Sequence, residues 1–576
     1  IGSAKPTIGH TGAAAGLASV VKTALCLYQE LIPPLSGFRQ PTAPAAWSRG
    51  PFYMPIRPQA WLHDRAEGPR CAGVSVMTCD GGSAHVVLQG VERRDAAQVA
   101  ERRQPLGSRG QAVFGVSGRD TDELLSGLTA LRTLAADHAD ADIEALARRA
   151  YAGRRSASGL GTVGLAIHAM GPADLGRAVG VADRALRAEP TAAMTGQQGV
   201  FYSPSPQGPR GQIAFVFPGS GNHYVGMGGG VGVEWPHILG NLDEDTAYLH
   251  GHLLPRLVAP RRHDWSDGWR QASDDALNLD FLAMLLSQVA HGVVMSDLLR
   301  HLGLQPSAAI GYSLGESTAL FAMRAWPERD DMYRRMRRSP LFQTELVGRC
   351  DAARRAWHLA ADERVDWRSV VINRPADLVR DVVAGVDRVY LQIVNTTDEC
   401  VIGGQRAAID TVIGALRCEA IDLAGASTVH CAVARPVEDA YRQIHLLPTT
   451  PVDGVRFYSA AQQRSYTVDR PSAADAIVAQ AVTGIDFAAT IEQAYADGVR
   501  VFVEAGPQAS CSRMIGKILH GRPHLAQSAC VKGEDDVTTV LRLAASLYAE
   551  RALVDLGPLY ANATTALGHQ WPDAAG

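Results

Sequence analysis

Gly311-Tyr312-Ser313-Leu314-Gly315 carries the residue types that a nucleophilic serine needs, in an order that exposes it. An apolar strand-like run, Ala308 to Ile310, precedes it, and a helical pattern from Glu316 to Met323 follows. A serine at such a strand-to-helix turn sits on a nucleophile elbow, where flanking glycines let the chain turn without side-chain clashes. Its hydroxyl then faces a helix N-terminus, whose dipole and free N–H groups favour a developing oxyanion. The backbone N–H of Leu314 is the natural first donor. The chemistry this suits is attack on an acyl carbonyl, and the serine needs a base. Downstream lie His358, His430, His445, His520, His524 and His569. His430 is preferred because it follows the apolar run Ala420 to Val429 at a strand end, where side chains are held firmly.

A chain of 576 residues is long enough for three or four domains. The apolar fraction of 46% and charged fraction of 20% are those of a globular protein, and the net charge of −4 gives no global basic field for nucleic acid or anionic membrane. Nine scattered cysteines with no Cys-x-x-Cys pair argue against a disulfide framework or a zinc site and for a reducing, cytoplasmic setting. The best apolar stretch, Thr11 to Tyr28, is broken by Lys22, so no membrane span is expected there. Opening on Ile1 inside a glycine-rich turn is expected of a piece cut from a longer chain.

Alternating strand and helix patterns imply an α/β architecture with a mostly parallel sheet. Gln212 to Phe217 reads as a buried strand ending in Pro218-Gly219-Ser220-Gly221. Val389 to Val394 and Cys400 to Gly403 read as paired strands, Arg406 to Leu416 as a helix, and Val499 to Glu504 as a last strand. Upstream, Gln111 to about Thr195 reads as a small unit of strand, helix, helix, strand, helix. Glu92 to Gln104 is a linker by composition, and the tail from about Ala561 reads as disordered.

Five motifs occur in one order: Pro218-Gly219-Ser220-Gly221, Gly311-Tyr312-Ser313-Leu314-Gly315-Glu316, Asn395 before Val401-Ile402-Gly403-Gly404, Val429-His430, and Glu504-Ala505-Gly506-Pro507. The series resembles the acyltransferase domain of fatty acid and polyketide synthases, similar to malonyl-CoA:acyl-carrier-protein transacylases. The resemblance implies an α/β-hydrolase-like parallel sheet core over residues 209–525, with an inserted ferredoxin-like subdomain at about 388–450. It implies that Ser313 carries the acyl ester, with His430 as general base oriented by the backbone carbonyl of Gln480. The N–H groups of Leu314 and Ser220 form the oxyanion hole, Arg338 holds the substrate carboxylate, and Tyr312 and Asn395 line the substrate pocket. It implies acyl-CoA, an acyl carrier protein and other synthase domains as partners, and neither metal nor bound cofactor. The sequence departs from the family at Ser220, at Tyr312 (where histidine is commoner) and at Ser427-Thr428-Val429-His430. Tyr312 with Ser339-Pro340-Leu341-Phe342 looks most like acyltransferases of polyunsaturated fatty acid synthases.

The flanks extend the resemblance. Ile1 to His10, then Ala13-Ala14-Ala15-Gly16 and Gly81-Gly82-Ser83-Ala84-His85, resemble the C-terminal part of a thiolase-like ketosynthase over residues 1–95, in which His10 and Lys5 match residues assisting condensation. An asparagine usual before Ala84 is missing. Residues 96–208 then match the α/β linker between ketosynthase and acyltransferase, and 526–576 a segment that folds back on that linker. Three other readings remain, the first a starter or product acyl transferase of a polyunsaturated fatty acid synthase. A serine esterase of the α/β-hydrolase type would use His520 or His524 and an acid, and a non-catalytic docking module would need neither Ser313 nor His430.

Overall fold

The computed structural model describes residues 1–43, 47, 52–78, 81–91, 104–154, 161–254, 268–360, 362–423 and 427–561. The expected linker before Gln104 and the expected disordered tail after Ala561 fall outside them. The central six-stranded sheet has the order Arg464–Tyr466, Arg456–Ser459, Ala308–Gly311, Gln212–Phe217, Val499–Glu504, Leu525–Ser528. All neighbours in it are parallel except the first two. A sheet covered on both faces needs strands that are apolar throughout, and alternate residues of Gln212–Phe217 serve two separate cores. Phe215 and Phe217 join a core that includes the helix Phe281–His301. Ala214 and Val216 join the other, with Phe487 and Ile515.

Phe281–His301 is long and apolar enough to cross a membrane, but it is packed inside the protein as this core's central helix. No other described helix is of that kind.

The inserted subdomain runs strand Trp367–Ile372, helix Ala376–Val383, strands Val389–Thr396 and Glu399–Gln405, helix Arg406–Leu416, and strand Ala420–Asp422. Numbered along the chain, its four strands pair antiparallel in the order 4-1-3-2, which is ferredoxin-like. The expected limits of about 388–450 are therefore corrected. The first strand and first helix lie before residue 388, and residues 432–445 form helical turns outside this sheet. The expected domain end at 525 is corrected too, because Leu525–Ser528 is the sheet's edge strand, paired with Val501–Glu504.

Upstream, Ala112–Gly118, Val163–Ala169, Val200–Tyr202 and Met194–Thr195 form an antiparallel sheet in that order, with helices Thr121–Asp137, Ile143–Arg154 and Pro172–Ala188. The last two strands were not expected from the sequence. The C-terminal helix Asp536–Ala549 packs on this sheet: a Cβ on Gly115 would lie 2.6 Å from the Tyr548 ring. Further on, the Tyr560 hydroxyl accepts a 2.7 Å hydrogen bond from the N–H of Val113. At the N-terminus, helix Ala13–Gln29 lies against the hairpin Cys71–Met77/Ser83–Gln89.

Arg109 joins the upstream unit to the body built on the six-stranded sheet. Its guanidinium lies 2.6 Å from Glu144 on helix Ile143–Arg154 and 2.6 Å from Glu234 on helix Gly229–Glu234, and all three side chains are almost fully buried. Burial raises the Glu234 carboxyl to about 7, and the Arg109 charge pulls against that rise. Removing the arginine strands two buried acids. Arg109→Ala is expected to cost about 3–5 kcal/mol, read as a lowered denaturant midpoint.

Candidate active site

The nucleophile elbow forms because backbone passes where side chains would stand. A Cβ on Gly311 would lie 2.0 Å from the N of Glu316, and one on Gly315 would lie 1.9 Å from the Phe217 oxygen. Ser313 itself is held at φ 54°, ψ −117°, at the start of helix Leu314–Ala322. This is a left-handed backbone region that costs energy for a serine and is stabilised by its surroundings.

Ser313 Oγ lies 2.7 Å from His430 Nε2. His430 Nδ1 lies 2.8 Å from the carbonyl oxygen of Gln480, on helix Arg470–Thr483. With Nδ1–H donating to that carbonyl, Nε2 is left to accept from the serine hydroxyl. The histidine backbone, at φ 64°, is pinned by a 2.7 Å bond from its N–H to Ala481 O. The Gln480 side-chain amide reaches back to the Ser313 carbonyl at 3.2 Å. Burial lowers the imidazole's pKa to about 4, against a smaller upward pull from the Gln480 carbonyl, so the ring is neutral and a competent base at neutral pH.

Ser220 and Leu314 line the same cavity as Ser313 and His430. Among the described residues no backbone acceptor takes the N–H of Ser220. Leu314, at the first helical position, has none within its helix. Two free donors beside the nucleophile are what a tetrahedral oxyanion requires. The cavity, of about 90 Å3, runs inward between Phe281, Leu285, Met332, Met336 and Phe342.

Its polar lining includes an arginine, but not the expected one. Arg338 is exposed and is absent from the cavity lining, so the reading of it as the carboxylate clamp is corrected. On helix Arg329–Arg338, residues 329, 332, 333 and 336 are buried, which is one face at helical spacing. Arg338 stands on the opposite face. Arg329 is 3% exposed and its Nε and Nη1 have no hydrogen-bond partner. Its guanidinium sits 5.1 Å over the Phe321 ring, and burial lowers it only to about 10, so it stays charged. Beside it His252, also 3% exposed, has both ring nitrogens unpartnered and is held neutral by burial.

Tyr312 and Asn395 are also corrected, since neither lines the cavity. The Tyr312 hydroxyl donates to Asn395 Oδ1 at 2.8 Å, Asn395 Nδ2 donates to Glu399 at 2.9 Å, and the Tyr312 ring meets Phe487 edge-on. They fasten the elbow to the inserted subdomain from behind. Lys5 and His10 lie together, 3.2 Å apart, in the exposed N-terminal segment and not at this cavity. His520 is exposed, and neither it nor His524 lines the cavity.

Known proteins resemble this chain in sequence and in fold. Residues 1–39 match the family described as beta-ketoacyl synthase, C-terminal domain. The chain is 26% identical over 99% of its length to a polyunsaturated fatty acid synthase component of a Thraustochytrium species, of which it covers 29%. It is 27% identical over 56% of its length to the pikromycin polyketide synthase component PikAIII of Streptomyces venezuelae, covering 19% of that protein. The chain thus spans less than a third of either relative. The acyltransferase domain from module 8 of the salinomycin polyketide synthase superposes with a TM-score of 0.61 at 19% identity, over 78% of this chain and 98% of that one. The fold is that of a synthase acyltransferase domain. The acyltransferase domain of ZmaA superposes equally well, with a TM-score of 0.61 at 16% identity, over 79% of this chain and 97% of that one. In this acyltransferase fold the match reaches beyond the catalytic body into the upstream α/β unit.

The pH dependence of Ser313 follows from the burial of its base. Phosphonylation of Ser313 by a fluorophosphonate should hold its rate from neutral pH downward and fall only through about pH 4, as His430 gains its proton. A fall centred near 6.5, the value of a solvated imidazole, would show that His430 is not buried as described.

Proposed function

We propose that this chain moves an acyl group from coenzyme A to the phosphopantetheine thiol of an acyl carrier protein, as one station of a multienzyme fatty acid or polyketide synthase. The observation that carries this is the Ser313–His430 pair at 2.7 Å, lining a cavity that also holds a buried guanidinium whose Nε and Nη1 have no hydrogen-bond partner. The alignment with a polyunsaturated fatty acid synthase component along 99% of the chain supports the synthase setting. The eight described cysteines are all free, which suits a reducing, cytoplasmic compartment.

The reaction runs in two halves. His430 Nε2 takes the Ser313 proton as Oγ attacks the thioester carbonyl, and the oxyanion rests on the N–H groups of Leu314 and Ser220. The C–S bond breaks, and the imidazolium returns the proton to the departing coenzyme A sulfur. The carrier thiol then gives its proton to His430 and attacks the acyl-serine, and His430 finally protonates Oγ. His430 is oriented by a carbonyl and has no carboxylate on Nδ1, which separates this site from an esterase triad.

Buried guanidinium donors without a hydrogen-bond acceptor are costly until a ligand supplies one. Arg329 therefore favours an acyl group ending in a carboxylate, of which malonyl is the simplest. The apolar lining favours a second reading, transfer of a longer starter or product acyl group.

Brief exposure to a panel of acyl-CoAs followed by intact mass spectrometry tests both. A malonyl-sized adduct that vanishes in Ser313→Ala supports malonyl transfer, while an alkyl-acyl adduct alone supports the second reading. Full loading of Ser313→Ala would refute the proposal. Arg329→Ala is expected to slow malonyl loading about 10- to 100-fold, the worth of one charge-assisted pair, while acetyl loading changes little. Arg338→Ala should leave both near the parent rates.

A further inference from the structure

The acyl-transfer reading needs the Ser220 N–H aimed at the oxyanion, yet the loop that carries it, Pro218 to Asn222, is neither helix nor strand. Something must fix the Gly219–Ser220 peptide plane. In a trans peptide the carbonyl of one residue and the N–H of the next point in opposite directions, so holding the Gly219 oxygen fixes where the Ser220 N–H points.

Two side chains hold that oxygen. Asn222 Nδ2 donates to it at 2.9 Å. Gln288 Nε2 donates to it as well, and also to the Pro218 oxygen at 3.3 Å. Gln288 is 2% exposed and sits mid-way along the apolar helix Phe281–His301, a position where an amide costs burial energy. Its own Oε1 has no partner. A residue kept only for packing would not bring a polar group into this helix and leave half of it unsatisfied. One turn further on, a Cβ at Gly292 would lie 2.4 Å from the Thr318 side chain, so the helix is drawn against the nucleophile helix. That close approach brings Gln288 to the loop.

We propose that Gln288, seconded by Asn222, is the positioning residue of the oxyanion hole. It acts through the Gly219 carbonyl to aim the Ser220 N–H and does not itself line the cavity. The role belongs to the transition state, because the acyl carbonyl acquires its full oxyanion charge only there. Loss of the anchor should therefore lower kcat and leave KM almost unchanged.

The experiment measures steady-state transfer, the pre-steady-state rate of acyl-Ser313 formation and the thermal midpoint for the parent chain, Gln288→Met and Asn222→Ala. Gln288→Met keeps the side-chain length and removes the donor. Its kcat and acylation rate are expected to fall about 10- to 100-fold, up to the effect of deleting one oxyanion donor, with KM within threefold. Asn222→Ala, at a loop position the core does not need, should lower kcat several-fold in the same direction and keeps the test decisive if Gln288→Met folds poorly. Gln288→Glu adds a pH signature. Its ionised carboxylate cannot donate, so its rate should rise as pH falls and the acid protonates, a trend the parent enzyme lacks. Parent-like kcat in both Gln288→Met and Asn222→Ala would overturn the inference, as would a raised KM at constant kcat. Absence of any acyl-Ser313 in the parent chain would instead refute the acyl-transfer reading beneath it.

Discussion

Ser313 at φ 54° and His430 at φ 64° both occupy backbone conformations that their side chains disfavour, and the hydrogen-bonded pair exists only because the surrounding chain enforces both. For the serine, enforcement comes from the parallel pairing of Gln212–Phe217 with Ala308–Gly311 and from glycines that let the elbow press on Phe217. For the histidine it comes from the end of helix Arg470–Thr483, whose carbonyls at residues 480 and 481 take its ring proton and its amide proton. Neither constraint involves a charge. The pair is oriented by covalent geometry and neutral hydrogen bonds, in a region dry enough to keep the imidazole unprotonated.

The same dryness governs the rest of the cavity. Arg329, His252 and Gln288 are polar groups that an apolar core would ordinarily exclude, and each leaves at least one buried atom without a partner. Their cost is borne by two extensive cores on either face of the central sheet. Glu504 shows the contrasting case. Its carboxylate oxygens take the N–H groups of Cys511 and Ser512, so that buried acid is fully engaged in capping helix Ser510–Ile518. The satisfied acid belongs to the scaffold, while Arg329, His252 and Gln288 stand at the cavity or its oxyanion loop with buried polar atoms left open.

What could be read from the sequence was local. The elbow is five consecutive residues, its strand and helix adjoin it, and Val429-His430 follows an apolar run, so Ser313 and His430 were legible without long-range information. Arg338 misled because distance along the chain says nothing about which way a helical side chain faces. The buried residues Met332, Tyr333 and Met336 define the inward face of that helix, and Arg329 shares it at i−3, i−4 and i−7. That periodicity was a usable signal. Tyr312 and Asn395 sat beside true motif residues but point away from the cavity. Gln288 and His252 carry no motif at all, and their roles arise from elements that meet only after folding. The start of the ferredoxin-like insertion at Trp367 was missed because its first strand follows a charged segment and itself opens on Trp367-Arg368.

The clasp between the upstream sheet and helix Asp536–Ala549 sets an order of events during synthesis. Tyr202 completes that sheet, but the helix carrying Tyr548 leaves the ribosome only after roughly 330 further residues, about 15–65 s at ordinary elongation rates. Throughout that interval the face around Gly115 and Gly164 lacks its cover, while the whole catalytic body is being made. The nascent chain thus carries an open apolar face throughout that wait, and whatever shields it then is as much a condition for reaching this structure as any contact within it.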